Sequence, residues 1–172
     1  MNRAALEIME GYVSGHPNVR QIHVTGKAGF ETEMQKFRAA GLDGTKNCEL
    51  RDYLYDMPLY MAAADLVISR AGAMTTSELA EMGKAAILIP SPNVVDNHQF
   101  VNADTLSKAG AAYLLEEKDL ETPGSAVEPV RRLLENATER DAMQEAIRKF
   151  ADRDANRMIW QEIQKLTKYR KK

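Results

Sequence analysis

Two polar segments, each following an apolar run, contain the residue types best suited to bind a ligand. The first follows Leu66-Val67-Ile68 and reads Ser69-Arg70-Ala71-Gly72-Ala73-Met74-Thr75-Thr76-Ser77-Glu78. The second follows Ile87-Leu88-Ile89 and reads Pro90-Ser91-Pro92-Asn93-Val94-Val95-Asp96-Asn97-His98-Gln99. Each pattern predicts a buried strand, a loop and the start of a helix. Two helix starts side by side suit an anionic ligand such as a nucleotide diphosphate, because free amides and the positive end of each helix dipole face it.

The first loop combines small residues with donors and one carboxylate. Gly72 can adopt positive φ and lets the backbone approach a phosphate, while the amides of residues 73–76 and the hydroxyls of Thr75, Thr76 and Ser77 are donors. The carboxylate of Glu78 can accept both hydroxyls of a ribose cis-diol. Thr75-x-x-Glu78 also matches a capping box, in which Glu78 bonds a backbone amide instead. Spacing alone does not decide between these two interpretations of Glu78. It also does not decide whether Arg70 contacts a ligand or is a surface residue.

The second loop offers carboxamides at the start of its helix. Gln99 and Asn102 lie three residues apart and share a helix face, which suits sugar hydroxyls because each carboxamide both donates and accepts. Asp96-x-x-Gln99 is again open to a capping interpretation. His98 has no paired nucleophile, so no catalytic residue is predicted in this chain. We expect structural roles for His16, next to a proline, and for His23, inside a strand.

Composition excludes several classes of function. The 172 residues predict one domain with a sizeable core, since 44% are hydrophobic and 28% charged. A net charge of −2 does not indicate a nucleic-acid partner, and no apolar run approaches the roughly 18 residues of a membrane span. The single cysteine, Cys48, is interpreted as a buried hydrophobe. No metal site is predicted, because the sequence has no His-x-x-x-His, no cysteine pair and no acidic cluster on a loop. Asp152-Arg153-Asp154 falls between helices rather than after a strand. The basic end, 165–172, reads as a solubilising tail, with weak contact with anionic lipid as the alternative.

Hydrophobic periodicity predicts an α/β fold with a Rossmann-like, doubly wound parallel sheet. Glycine and proline signals place strands at 19–25, 47–54, 66–69, 85–89 and 112–115, and helices at 3–14, 30–40, 57–64, 74–82, 98–109, 126–136, 139–151 and 155–168. The strands at 66–69 and 85–89 are continuously apolar, which predicts burial on both faces. Both polar loops then lie at the carboxyl edge of the sheet, where such folds bind ligands.

In their joint order, these segments resemble the C-terminal half of the MurG family. The resemblance is carried by four segments: Arg70-Ala71-Gly72-Ala73-Met74-Thr75-Thr76-Ser77-Glu78, the Pro90 loop, Asp96-Asn97-His98-Gln99 and Asn102-Ala103. That family, in glycosyltransferase family 28, comprises bacterial UDP-N-acetylglucosamine transferases of peptidoglycan lipid II synthesis. The likeness covers nearly the whole chain and is strongest over 54–115. It implies that residues 1–172 form the single donor-binding domain of a two-domain GT-B fold, with 126–172 as C-terminal helices.

The resemblance also implies roles for individual residues. The diphosphate meets residues 73–76, Glu78 holds the ribose, Leu54 lies near the uracil, and Gln99 holds the sugar hydroxyls with His98 and Asn102. The implied substrate-binding set is Leu54, Arg70, Gly72, Ala73, Met74, Thr75, Thr76, Ser77, Glu78, His98, Gln99 and Asn102. The implied reaction is inverting transfer of N-acetylglucosamine from UDP to lipid I, with no cofactor and no required metal. The implied location is cytoplasmic, peripheral at the inner face of the bacterial membrane.

Two departures from the family lead us to expect an incomplete enzyme. The acceptor domain, which supplies the proposed base and the membrane-facing surface, has no counterpart in this chain, and the chain starts at about the helix after the family's first, Gly-rich strand. We therefore expect a fragment, a truncated frame or a subunit that is inactive alone and lacks the first strand of its sheet. Alternatives are a subunit of a eukaryotic-type split UDP-N-acetylglucosamine transferase, a UDP-sugar epimerase-type domain, and a non-catalytic nucleotide-binding module.

Overall fold

The computed structural model describes residues 1–152 and 155–169 and shows alternating helices and parallel strands. Of the sequence features named above, Arg153, Asp154 and the terminal residues 170–172 lie outside the described part. The elements are α1 Asn2–Gly11, β1 Gln21–Val24, α2 Phe30–Ala39, β2 Cys48–Arg51, α3 Met57–Ala63, β3 Leu66–Ser69, α4 Ala73–Met82, β4 Ala85–Leu88, α5 His98–Lys108, β5 Tyr113–Leu114, α6 Val127–Glu135, α7 Ala137–Arg148 and α8 Ala155–Tyr169. The α/β prediction is confirmed, and the boundaries differ from it by a few residues.

The strands form two parallel sheets rather than one. β1 pairs with β2, whereas β3, β4 and β5 form a second sheet in that order. Within the described residues, β1 and β3 each have one edge without a partner strand. One hydrophobic cluster nevertheless spans both sheets, since Leu50 of β2 and Ile87 of β4 share it with Ile8 and Met9 of α1. The two sheets therefore lie under one common layer of helix.

The strand at 66–69 is less buried than its apolar sequence predicts. All four residues of β4 are buried, but all four of β3 are only half-buried. β4 has a partner strand on each side, whereas β3 is paired only with β4. The prediction of burial on both faces is thus confirmed for β4 and wrong for β3, because side chains beside an open sheet edge stay accessible.

Helices cover both faces of the three-stranded sheet. A second hydrophobic cluster packs against β3, β4 and β5 and comes mainly from four helices, with Met61 of α3, Leu79 of α4, Leu106 of α5 and Ile147 of α7. On the opposite face, α1 packs against α6. The parallel strands and their covering helices place the loops after β3 and β4 at the same sheet edge.

Candidate ligand site at the ends of β3 and β4

The start of α4 is an open helix N-terminus. Gly72 is its N-cap residue, with φ −67° and ψ 148°, and no side chain caps the helix. This φ is open to any residue, so Gly72 does not use the positive φ that glycine can adopt. A Cβ there would only approach Thr75 Oγ1, at 4.0 Å, so neither the backbone nor the packing requires glycine at this position. Ala73, Met74, Ser77 and Glu78 line an open depression of about 340 Å³.

The capping-box interpretation of Thr75 and Glu78 does not match the structure. Thr75 lies inside the first turn of α4, because the helix begins at Ala73. The Thr76 hydroxyl donates to the carbonyls of Gly72, at 3.2 Å, and Ala73, at 3.0 Å. Glu78 is exposed and has no side-chain hydrogen bond or ion pair in the part of the chain that the structure describes. Its carboxylate is therefore available to a ligand.

The second loop is tightly turned before α5. Val95–Asn97 forms a short 3₁₀ turn in which Asp96 and Asn97 have φ of 52° and 51°. Aspartate and asparagine are the non-glycine residues that adopt left-handed backbone most readily, so the turn forms without glycine. Gln99 does not cap the helix, since its Oε1 accepts a hydrogen bond from the Ser91 amide at 2.9 Å. The exposed His98 ring donates from Nδ1 to the Val95 carbonyl, at 2.7 Å.

A carboxamide on α5 contacts the first loop. Asn102 Nδ2, on α5, donates to the carbonyl of Ala71, the fully buried residue before Gly72, at 3.0 Å. The amide group of Gln99 and the carbonyl oxygen of Asn102 keep free bonding capacity. The structure thus brings the starts of α4 and α5 side by side, as the sequence predicts.

Arg70 is held by the protein. Its Nη1 donates to the carbonyls of Ile89, at 3.1 Å, and Pro90, at 3.2 Å, and its Nη2 is paired with Glu117. These contacts tie together the ends of β3, β4 and β5. Sequence reasoning missed Glu117, because nothing local links it to a residue 47 positions away.

Leu54 lies apart from these residues, after β2 of the two-stranded sheet. Its side chain is buried, so a ligand would meet its backbone. Next to it, the exposed rings of Tyr53 and Tyr55 contact each other edge to face, with centroids 5.0 Å apart. The Lys27 ammonium lies 5.7 Å from the Tyr53 ring. Sequence reasoning missed this group; the two exposed aromatic residues beside Leu54 were the available signal.

A second cavity lies elsewhere on the described residues. It has a volume of about 710 Å³, and its lining includes Ser91, Asn97, Arg3, Lys118, Glu116, Glu117 and Glu121. None of the predicted substrate-binding residues lines it. Three carboxylates there face Arg3, Lys118 and the N-terminal ammonium of Met1, so the lining has no net positive charge to favour a diphosphate. The anion site is therefore better placed at the start of α4.

The histidines and the cysteine have structural surroundings. His16 stacks on Tyr12, with centroids 4.1 Å apart, and His23 Nε2 lies 3.1 Å from Asn2 Oδ1. Burial and the nearby N-terminal ammonium lower the pKa of His23 to about 4. Cys48 is buried and free, as predicted.

No group of three His, Cys, Asp or Glu side chains in 1–152 and 155–169 is arranged to hold a metal ion. No helix in the same ranges has the length and apolar character needed to cross a membrane.

Similarity to known proteins shows the family to which the chain belongs. The family model "Glycosyltransferase family 28 C-terminal domain" matches residues 1–158. A relative from Thermoanaerobacter sp. (strain X514), named UDP-N-acetylglucosamine–N-acetylmuramyl-(pentapeptide) pyrophosphoryl-undecaprenol N-acetylglucosamine transferase, is 36% identical over 150 residues, 87% of this chain and 41% of the relative. The chain thus spans less than half the length of such relatives.

Solved structures agree with this assignment. MurG of Acinetobacter baumannii superposes with a TM-score of 0.77 at 28% identity, covering 95% of this chain and 45% of that one. UDP-GlcNAc 2-epimerase from Neisseria meningitidis, solved with UDP-GlcNAc, superposes with a TM-score of 0.67 at 14% identity, covering 96% and 41%, which shows a shared fold alone. These matches confirm the resemblance to MurG, and the chain belongs to glycosyltransferase family 28, whose C-terminal domain it matches over residues 1–158.

Proposed function

We propose that this chain is the donor-binding part of an inverting hexosyltransferase that moves N-acetylglucosamine from UDP-N-acetylglucosamine to lipid I, forming lipid II. Membership of family 28 and relatives named for this transfer support the proposal. The structural observation that carries it is the Asn102–Ala71 hydrogen bond, which holds two helix starts against each other at one sheet edge.

The geometry suits departure of UDP without a metal ion. The diphosphate lies at the start of α4, where the free amides of residues 73–76 and the helix dipole stabilise the charge that develops as the bond from the sugar to UDP breaks. Glu78 accepts the ribose hydroxyls, and Gln99 and Asn102 bind hydroxyls of the sugar. The new bond forms to a sugar hydroxyl of the acceptor as the bond to UDP breaks, and the base that takes the hydroxyl proton is supplied by the acceptor-binding part. The chain alone binds the sugar donor but does not catalyse the transfer.

The cellular setting follows from this reaction. Lipid I is a membrane-bound acceptor, so the complete enzyme works at the cytoplasmic face of the bacterial membrane and associates with it peripherally. Membrane contact belongs to the acceptor-binding part. The product feeds cell-wall growth, and through it cell shape and division.

Calorimetric titration of the chain with UDP, UDP-N-acetylglucosamine and ADP tests the proposal. We expect both uridine ligands to bind and ADP to bind at least about tenfold more weakly, a difference of about 1.4 kcal/mol. Equal affinity for UDP and ADP would sink the proposal and favour a nucleotide-binding module of no base preference. Conversion of UDP-N-acetylglucosamine to its epimer by the chain would instead favour the epimerase alternative.

Reconstitution distinguishes a separate acceptor subunit from a fused one. Adding a membrane-anchored acceptor-binding subunit in trans should restore transfer if the chain acts as one half of a split transferase. Radiolabelled sugar appearing in a lipid fraction is the readout.

A further inference from the structure

Arg70 and Glu117 form an ion pair at the ends of β3 and β5, next to the second loop. The Arg70 guanidinium bridges three groups that are distant in sequence, the carbonyls of Ile89 and Pro90 and the carboxylate of Glu117. Both side chains are about one-third exposed, at 35% and 31%, so the contact is only partly screened by water. The first two residues after β4 are thereby held by the end of β3 and the end of β5.

The residue that follows is the one that holds Gln99. Ser91 comes directly after Pro90, and its amide donates to Gln99 Oε1 at 2.9 Å. With its oxygen engaged, the Gln99 carboxamide has one orientation, and its NH₂ group is the part left to bind a ligand. A continuous path of hydrogen bonds and one peptide thus runs from Glu117 through Arg70 and the Pro90 carbonyl to Gln99.

We propose that Arg70 and Glu117 are positioning residues for sugar recognition: by fixing Pro90 and Ser91 they set the orientation in which Gln99 presents its amide donors. This inference rests on the proposed function and adds two residues to it that do not contact the sugar. Arginine suits the task, because its planar fork serves several acceptors in fixed directions, which a lysine ammonium does not.

Amide hydrogen exchange tests the path without any ligand. In Arg70→Met and Glu117→Ala, we expect the Ser91 amide to lose protection by roughly 5-fold, the factor for about 1 kcal/mol of hydrogen bonding. Glu116→Ala is the matched control, since Glu116 pairs with Lys118 and has no contact with Arg70. The Leu115 amide, which bonds Leu88, should exchange at the wild-type rate in all three variants. Unchanged protection of Ser91 in both test variants would overturn the proposal.

Titration then tests the link to the sugar. Arg70→Met should weaken UDP-N-acetylglucosamine about 5-fold and UDP by less than about 2-fold, because only the sugar contact depends on Gln99. Equal weakening of both ligands, or of neither, would contradict a role in sugar recognition. If the wild-type chain binds no uridine ligand, the proposed function fails and the sugar role fails with it, whereas loss of protection at Ser91 would still show that Arg70 orients Gln99.

Discussion

Glu78 is exposed on α4 with no side-chain hydrogen bond or ion pair among the described residues, although it follows Thr75 at the spacing of a capping box. The helix begins at Ala73, so Thr75 is not its N-cap residue and Glu78 is not needed to cap it. A carboxylate without a structural task, on the wall of a depression beside a free helix start, is available for ligand contact.

Glu78→Ala should therefore weaken UDP binding without destabilising the fold. Loss of a charged hydrogen bond of about 1.5–3 kcal/mol corresponds to roughly 10- to 150-fold in Kd, measured by calorimetry. Glu81→Ala, at another exposed glutamate of the same helix, is the matched control and should change neither Kd nor the melting temperature. An unchanged Kd for Glu78→Ala, with a lower melting temperature, would restore the capping role.

His23 should make the fold less stable in mild acid. Its pKa is about 4 in the folded protein, chiefly through burial and secondarily through the N-terminal ammonium, whereas Glu33 opposes the shift. The unfolded value is about 6.5, so His23 contributes no pH dependence above that pH. Between about 6.5 and 4 the unfolded chain takes up a proton that the folded protein resists, and stability falls by up to about 3 kcal/mol.

This effect is measured by urea unfolding of the wild type and of His23→Gln. Both proteins are unfolded at neutral pH and at a pH near the pKa of His23 in the folded protein. The variant should lose less stability on acidification than the wild type, because it lacks the titrating ring. Parallel pH profiles for the two proteins would show that His23 is not the source.

At the scale of elements, α4 and α5 end with the same backbone conformation, but the two terminal glycines have different neighbours. Gly83 and Gly110 both have left-handed backbone, with φ of 61° and 67°. After each helix a backbone bond runs back to its last turn, from Lys84 to Leu79 and from Ala111 to Leu106. A Cβ at Gly83 would lie 2.7 Å from Arg148 Cζ and 2.8 Å from its Cγ, whereas one at Gly110 would meet nothing within 4 Å.

Gly83→Ala should therefore cost more stability than Gly110→Ala. The left-handed conformation alone costs about 1–2 kcal/mol for alanine, which is the loss expected at Gly110. At Gly83 the Arg148 side chain must also move, which adds to the loss. Chemical denaturation of both variants measures the difference, and equal losses would mean that Arg148 moves aside freely.

At the scale of the whole molecule, this chain differs from one continuous doubly wound sheet because its strands form two separate sheets. β1 and β3 each lack a partner on one side among the described residues, and β4 has partners on both. Parallel sheets usually have their strands buried. The shared α1 layer, rather than strand pairing, therefore holds the two sheets together.

Amide exchange should follow this arrangement. Residues of β4 should exchange most slowly, and those of β1 and β3 faster, because unpaired strand edges open more easily. Mass spectrometry or NMR of the native protein gives the rates strand by strand. Equal protection of β3 and β4 would indicate that the open edge of β3 is covered in solution.

Local patterns predicted the elements well. The periodicity of apolar residues and the glycines at helix ends predicted most helices and strands to within a few residues. The loop of small residues before α4 was recognisable from its composition. The capping motifs were ambiguous because Thr-x-x-Glu and Asp-x-x-Gln spacing is the same inside a helix turn as at its start. The structure resolved the ambiguity by showing at which residue each helix begins.

The amino-acid sequence by itself determined the order of helices and strands, the two loops at strand ends and the family, since these depend on residue types within short stretches. The tertiary structure decided which side chains meet: Asn102 with Ala71, 31 positions away, and Arg70 with Glu117, 47 positions away. It also decided that the strands form two sheets. Such contacts depend on how parallel strands pair across the fold, and no local pattern records that pairing.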